Sequence, residues 1–188
     1  MGNLAIFGGS FDPPHVGHVL AAQYVLSTEM AERVLVVPVF SHAFDKDMAA
    51  YEDRLELARA AFGQLPGVDV SDVESQLPTP SYTVRTLEEL TARHPGDQLR
   101  LLVGADVLGD VERWVRFDEV CRLAPLLVLG RVGFGAAGYP AVLPDVSSTT
   151  VRRWLQERPA PAALAELGRA VPAAVLRQIE ARRLYLPA

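Results

Sequence analysis

The chain has 188 residues, of which 49% are hydrophobic and 22% are charged, and its formal net charge is −5. This length suits one domain with a sizeable buried core, and the composition excludes a disordered chain. The 18 Lys and Arg residues are scattered, so no basic stripe indicates a nucleic acid polymer or an anionic membrane as a partner. A small anionic substrate, held by a few local donors, is compatible with this charge.

Apolar runs in the sequence are far too short to span a bilayer, and the first residues do not have the pattern of a signal peptide. We therefore expect a cytoplasmic protein with no membrane partner. The single Cys121 agrees with that compartment, because it cannot form an internal disulfide. Its apolar helical context predicts a buried, inert thiol rather than a nucleophile.

Apolar runs alternate with segments of helical period along the chain. They predict strands at 3–7, 33–39, 99–103 and 125–130, with weaker candidates at 68–73 and 141–143. The predicted helices are 16–29, 51–63, 81–94, 116–123, 148–157 and 172–183. This alternation indicates an α/β fold built on a parallel sheet flanked by helices.

Capping residues, glycines and prolines refine the boundaries of these predicted elements. Ser81 is predicted to cap the helix that ends near Pro95-Gly96, and the Gly-rich stretch 130–140 is predicted to be a loop. We expect residues 1–188 to form a single domain, with 147–188 as a small helical C-terminal lobe that Pro159 and Pro161 divide. The sequence does not determine the oligomeric state, and a homo-oligomer is compatible with it.

The segment GGSFDPPHVGH at 8–18 follows the first predicted strand and leads into the first predicted helix. Its glycines let backbone N–H groups approach a ligand closely, and the helix N-terminus that follows is suited to an anion. His15 and His18 are three residues apart, so both imidazoles face the same side of the helix start. These features predict a site for a nucleotide phosphate chain.

Together with its strand and helix, this segment resembles the motif of adenylyl- and cytidylyltransferases. Four further segments extend the resemblance to bacterial nicotinate-nucleotide adenylyltransferases over nearly the whole chain: PSYTVRTLEEL at 80–90, LLVGADVL at 101–108, RWVRF at 113–117 and VSSTTVRRWL at 146–155. The resemblance implies a Rossmann-like sheet with the site at the carboxyl ends of its strands. It also implies transfer of the adenylyl group of ATP to a pyridine mononucleotide, with release of pyrophosphate.

The resemblance assigns the glycine turn to ATP. It implies that Gly8, Gly9, Ser10 and Phe11 shape the ATP pocket and that His15 and His18 contact phosphate as catalytic groups. Growing negative charge on phosphate oxygens would be stabilised by such imidazoles, by helix N–H groups and by an arginine.

A second phosphate site is predicted at 147–152, which matches the SSTxxR motif of the family. Ser148 and Thr149 lie at the start of a predicted helix, where hydroxyl groups and free N–H groups can meet the ATP triphosphate. Arg152, one turn later, is the third predicted catalytic residue, because it can add a charge-assisted contact.

Two segments are assigned to the nucleoside parts of the substrates. The resemblance implies that Gly104 and Asp106 contact a ribose of ATP, although Asp106 can alternatively cap a helix. It further implies that Trp114 stacks on the pyridine ring beside Tyr82 and Thr83, with a purely structural core position as the alternative for Trp114.

No third and fourth ligand accompany the two histidines, so we predict no protein metal site and expect Mg²⁺ to arrive with ATP. Asp12 is a candidate for a water-mediated contact to that ion.

The chain departs from the family at 38–46, where many members have a Pro-Pro-His-Lys stretch. His42 and Lys46, with altered spacing, are the candidates for binding the mononucleotide, and Arg54 is a further candidate cation. This departure leaves the acceptor open between nicotinate mononucleotide, which we favour, and nicotinamide mononucleotide. A pantetheine-phosphate adenylyltransferase and a non-catalytic nucleotide sensor are the alternatives. A dehydrogenase is disfavoured, because the glycine pattern is not GxGxxG.

Overall fold

Six strands of a single parallel sheet carry the fold, and helices cover both faces. The structure is a computed structural model and describes residues 2–41, 48–132, 139–157 and 160–186. Its strands are β1 (Gly2–Gly9), β2 (Arg33–Pro38), β3 (Val68–Val70), β4 (Asp97–Gly104), β5 (Leu126–Arg131) and β6 (Ala141–Leu143). Its α-helices are α1 (Val16–Ser27), α2 (Tyr51–Phe62), α3 (Thr83–Arg93), α4 (Phe117–Leu123), α5 (Ser148–Gln156), α6 (Pro161–Ala170) and α7 (Ala173–Arg182).

The strand order is β3-β2-β1-β4-β5-β6, and every neighbouring pair is parallel. This order is that of a doubly wound Rossmann-like sheet, so the predicted fold class is confirmed. The direction of winding reverses between β1 and β4, and ligands bind in such sheets beyond the carboxyl ends of the strands at this point. Gly8 and Gly9 end β1 there, and Gly104 ends β4.

Side chains of successive strand residues alternate between two hydrophobic cores. In β1, Leu4 and Ile6 belong to the core under α3 and α4, whereas Ala5 and Phe7 belong to the core under the other helices. This second core also contains buried residues of α5, α6 and α7. Both faces of the sheet are therefore covered, which explains why its strands appear in the sequence as continuous apolar runs.

Two predictions about local structure need correction, and two short helical segments were missed. Ser81 does not cap α3: Tyr82 occupies the N-cap position, and Ser81 exchanges hydrogen bonds with Ser41 beyond β2. Pro161 begins α6 rather than only interrupting a helix, since proline is favourable at a first helical position. Two 3₁₀ segments, Val73–Gln76 and Ala105–Arg113, are not among the predicted helices.

Cys121 lies in α4 and is half-buried, so it is less enclosed than predicted. Burial nevertheless raises the pKa of its thiol, which agrees with the predicted lack of nucleophilic character. Among the helices in the described ranges, none has the length and apolar character needed to cross a membrane.

Candidate active site

The glycine turn after β1 brings both histidines to the start of α1. His15 occupies the N-cap position with an extended backbone, and its ring is buried, with 6% of the residue exposed. The backbone N–H of His15 donates to Nδ1 of His18 at 3.1 Å, and the two imidazole rings stack with centroids 3.8 Å apart. The predicted pairing of the two histidines at the helix N-terminus is thus present in the structure.

Phe11 packs against the ring of His18. It is 1% exposed and adopts a positive φ of 47°, and its ring meets that of His18 at a centroid distance of 5.0 Å. Phe7 and Phe62 complete this aromatic cluster. Phe11 packs against His18 and is not among the residues that line the clefts described below.

Both histidines are neutral at physiological pH. Burial, with the nearby Arg131, lowers the pKa of His15 to about 4. Burial also lowers the pKa of His18 well below its usual value, with further contributions from His15 and Arg131. A neutral His18 whose Nδ1 accepts a hydrogen bond has its proton on Nε2, where it can donate to a phosphate oxygen.

The N-terminus of α5 is held against the loop that precedes α1. Ser147 caps this helix by accepting from the N–H of Thr150, and the Ser148 hydroxyl donates to the Pro13 carbonyl at 2.9 Å. Arg152 donates to the carboxylate of Asp12 at 3.1 Å and lies 3.5 Å from the Thr149 hydroxyl. The two predicted phosphate segments, whose contacting residues Pro13 and Ser148 are 135 positions apart in sequence, are therefore neighbours.

Asp12 has a different role from the predicted contact to a metal ion. The residue is 1% exposed, and its carboxylate accepts from the Ala49 backbone N–H, from the Tyr185 hydroxyl and from Arg152. Its oxygens thus bind donors of the protein itself. Asp12 joins separate segments of the chain behind the site.

A cleft of about 220 Å³ opens over the ends of β1, β4 and β5. Its walls include five residues of the predicted ATP site and one unpredicted cation: Gly8, His15, His18, Gly104, Asp106 and Arg131. Asp106 lies in the first turn of the 3₁₀ segment, and its carboxylate is 3.8 Å from the Arg131 guanidinium. The N-cap position of that segment belongs to Gly104, so Asp106 is not its N-cap residue.

A larger cleft of about 610 Å³ adjoins the first one. It is lined by the predicted nucleotide residues Gly9, Ser10, Tyr82, Thr83 and Trp114, among others. Gly8 and Trp114 line both clefts, so the two spaces meet above the end of β1. Trp114 also contacts Phe117 edge to face at a centroid distance of 6.0 Å, so its indole is both packed on the core and open to the clefts.

Two predicted mononucleotide residues, His42 and Lys46, lie outside the residues that the structure describes. Arg54, the further candidate cation, does not face either cleft. It is 1% exposed, and its guanidinium donates to the carbonyls of Ala49 and Ser10 at 3.0 and 2.9 Å. The prediction of a substrate contact for Arg54 was wrong, because the side chain instead holds the glycine turn from beneath.

Two residues at the site escaped the sequence analysis. Arg131 falls in the stretch 130–140 that the sequence predicts to be a loop, although it ends β5 at the same sheet edge as Gly8 and Gly104. A charged residue directly after a buried apolar strand was the available signal. Glu74 lines the larger cleft and accepts from the Phe40 N–H and the Thr86 hydroxyl, both at 2.9 Å. No local pattern in the sequence marks Glu74.

Within the described part of the chain, no group of three or more histidine, cysteine or carboxylate side chains is arranged to hold a metal ion. The paired imidazoles, the two helix N-termini and Arg152 instead form a surface suited to phosphate.

The fold and this site together define a nucleotidyltransferase, and the model of the cytidylyltransferase-like family matches residues 6–154. A probable nicotinate-nucleotide adenylyltransferase of Anaeromyxobacter dehalogenans is 42% identical, with coverage of 97% of this chain and 96% of the relative. A protein of the same description from Myxococcus xanthus is 36% identical, with coverage of 97% and 94%. The chain belongs to the nicotinate-nucleotide adenylyltransferase family.

A solved structure supports the fold independently. The nicotinic acid mononucleotide adenylyltransferase of Plasmodium falciparum, complexed with NaAD, aligns with a TM-score of 0.83 at 17% identity, and 98% of each chain is covered. The same Plasmodium enzyme complexed with APC aligns with a TM-score of 0.80 at 16% identity and the same coverage. At these identities the likeness concerns the fold alone.

Proposed function

We propose that this enzyme transfers the adenylyl group of ATP to nicotinate mononucleotide and releases pyrophosphate, a step that forms the dinucleotide in NAD biosynthesis. The observation that carries the proposal is the junction of the two clefts over Gly8, with the histidine pair on one side and Trp114 beside both. Two nucleotides bound in these clefts would meet at their phosphates. The unpaired Cys121 is in keeping with a cytoplasmic enzyme.

The reaction needs no nucleophile from the protein. An oxygen of the mononucleotide 5′-phosphate attacks the α-phosphorus of ATP, and the bond from that phosphorus to the oxygen bridging to the β-phosphorus breaks. The electron pair of that bond leaves with pyrophosphate. The attacking phosphate is already an anion near neutral pH, so catalysis consists mainly of alignment and charge stabilisation.

The predicted ATP residues have the following roles in this scheme. Neutral His18 donates its Nε2–H to a phosphate oxygen on which charge develops, and His15 lies stacked beside it. Arg152 and the N-terminus of α5, with Ser148 and Thr149, bind the triphosphate. The Asp106 carboxylate accepts from the hydroxyls of the ATP ribose next to Gly104.

Mg²⁺ is proposed to enter with ATP. Mg²⁺ retains several waters and binds nucleotide phosphate oxygens, so it needs few ligands from the protein. The ion would neutralise part of the charge on the phosphates, while the residues of this chain bind and orient the two nucleotides.

The larger cleft is proposed to bind the acceptor. The indole of Trp114 offers a flat face to the pyridine ring, and Tyr82 and Thr83 lie on the same cleft wall. The acceptor's ring carboxylate could be bound by backbone N–H groups or by a cation. The names of the relatives favour a pyridine mononucleotide over a phosphopantetheine acceptor.

An acceptor panel tests the proposal. Purified protein with ATP and Mg²⁺ is given nicotinate mononucleotide, nicotinamide mononucleotide or phosphopantetheine, and pyrophosphate and the dinucleotide product are quantified. We expect turnover with nicotinate mononucleotide and a lower kcat/KM with the amide. Turnover with phosphopantetheine alone would replace the proposed acceptor. Tight ATP binding with no product from any acceptor would identify a nucleotide sensor instead.

A further inference from the structure

The last described residues of the chain return to the back of the proposed ATP site. After α7, Arg183 and Tyr185 adopt positive φ values of 56° and 58°, and the Leu184 N–H donates to the Ile179 carbonyl. This reversal folds the segment back, where Leu184, Tyr185 and Leu186 pack against the core that contains Phe7 and Phe11. The segment thus reaches the glycine turn, which is 173 residues away in sequence.

The Tyr185 hydroxyl donates to one carboxylate oxygen of Asp12 at 2.8 Å. The Ala49 N–H donates to the same oxygen at 3.1 Å, while Arg152 donates to the other oxygen at 3.1 Å. Asp12 is 1% exposed, so these donors replace water at its carboxylate. Tyr185 is thus one of the donors that orient the carboxylate to which Arg152 binds, and the same nitrogen of Arg152 also donates to the Asp12 backbone carbonyl.

We propose that Tyr185 is a positioning residue for adenylyl transfer, which fixes Asp12 so that Arg152 is aimed at the ATP triphosphate. This inference rests on the proposed function, in which Arg152 binds that triphosphate. One guanidinium nitrogen of Arg152 donates to Asp12, the other lies near the Thr149 hydroxyl at the start of α5, and 25% of the side chain is exposed. The arginine is therefore anchored and still accessible to a ligand.

Loss of the Tyr185 hydroxyl would leave the Asp12 carboxylate with hydrogen bonds from Ala49 and Arg152 only. Loss of a donor to a buried carboxylate costs free energy, and Arg152, which already donates to Asp12, can compensate by pairing more closely with it. A bidentate salt bridge between Arg152 and Asp12 would turn the guanidinium away from ATP. Burial and the Asp12 charge raise the pKa of Tyr185, so its hydroxyl keeps its proton and stays a donor at neutral pH.

The test uses Tyr185→Phe, which removes only the hydroxyl. We expect KM for ATP to rise about 5- to 30-fold, equivalent to about 1–2 kcal/mol, while KM for the mononucleotide changes less than about twofold. Leu186→Ala is the matched control, because it loosens the same segment without touching the hydrogen bond. We expect both KM values of Leu186→Ala to stay near those of the wild type.

A double variant shows whether the effect passes through Arg152. Arg152→Lys alone should raise KM for ATP. In that background Tyr185→Phe should raise KM by less than a further twofold, because the guanidinium that it orients is absent. Equal effects in both backgrounds would overturn the proposal. So would an unchanged KM for ATP in Tyr185→Phe, the same shift in Leu186→Ala, or a Tyr185→Phe protein that no longer unfolds cooperatively.

The wild-type protein separates this inference from the proposed function. If the wild type forms no dinucleotide from ATP and nicotinate mononucleotide, the proposed function fails. Calorimetric titration with ATP then still reports on Tyr185, since the dissociation constant should rise by the same 5- to 30-fold factor in Tyr185→Phe. If the wild type is active and the variant matches it, only the positioning role fails.

Discussion

His18 accepts a hydrogen bond from the backbone of His15 through Nδ1 at 3.1 Å, which leaves Nε2 as its proton-bearing atom. This hydrogen bond satisfies the backbone N–H of His15 at the start of α1, and it orients the Nε2–H of His18 toward the first cleft. Each nitrogen of His18 thus has a separate task, and side-chain amides can replace them one at a time.

His18→Asn keeps an acceptor near the position of Nδ1, whereas His18→Gln keeps a donor near that of Nε2. We expect kcat to fall about 100- to 1,000-fold in His18→Asn, the cost of losing one preorganised donor, and clearly less in His18→Gln. Steady-state kinetics measure the effect, and thermal unfolding verifies that both variants are folded. A His18→Asn enzyme that is more active than His18→Gln would contradict the role given to Nε2.

The free energy of unfolding should depend on pH through His15 and His18. The pKa of His15 is about 4 in the folded chain and about 6.5 when unfolded, so the unfolded state binds more protons between these values. The free energy of unfolding therefore falls as the pH drops through 6.5 and levels off below about 4. From pH 7.5 to pH 5, His15 alone accounts for a loss of about 2 kcal/mol, and His18 changes it in the same direction.

Urea unfolding at both pH values measures this loss. Carboxylates contribute to the pH dependence as well, so the informative quantity is the difference between the wild type and the double variant His15→Gln/His18→Gln. We expect the double variant to lose less stability on acidification. An identical loss in the two proteins would show that the histidines are not buried in their neutral form.

Much of this site was predictable because its elements are local. The strand, the glycine turn and the start of α1 follow one another within 8–18, so their order alone predicts a phosphate site. The serine-rich start of α5 is equally local, and Ser147 caps it as hydroxyl residues do at helix starts.

The connections between these elements were not predictable from the sequence. Arg54 appeared to be an available cation, but tertiary packing turns it inward onto backbone carbonyls of two other segments. The bond from Tyr185 to Asp12 depends on a chain reversal after α7, for which neither residue provides a local signal. Such long-range contacts depend on the assembled sheet.

Arg54 provides a test of that inward packing. Arg54→Met removes the donors to the Ala49 and Ser10 carbonyls and leaves them buried, so we expect a loss of about 2–4 kcal/mol in the free energy of unfolding. Arg59→Met, on the same helix, breaks only an exposed ion pair with Glu56 and should cost less than about 1 kcal/mol. Urea unfolding of both variants at pH 7.5 makes the comparison. Equal losses would refute the anchoring role.

Trp114 should report on the acceptor. Trp114→Ala removes the aromatic face, so we expect KM for nicotinate mononucleotide to rise about 5- to 30-fold, equivalent to about 1–2 kcal/mol, while Trp114→Phe has a smaller effect. The only other tryptophan, Trp154, lies in α5 and packs against the hydrophobic core beneath that helix. A Trp154→Phe protein therefore isolates Trp114 fluorescence, which should change when the mononucleotide binds. Unchanged fluorescence and an unchanged KM would exclude stacking.

The most direct measurement of the central claim follows oxygen atoms from the acceptor into the product. Nicotinate mononucleotide labelled with ¹⁸O on its phosphate is incubated with ATP, Mg²⁺ and the enzyme. The masses of the dinucleotide and of pyrophosphate are then measured by mass spectrometry. Attack of the acceptor phosphate on the α-phosphorus of ATP predicts that the dinucleotide retains every labelled oxygen and that pyrophosphate has none. Label in pyrophosphate, or a dinucleotide that has lost a labelled oxygen, would contradict the account.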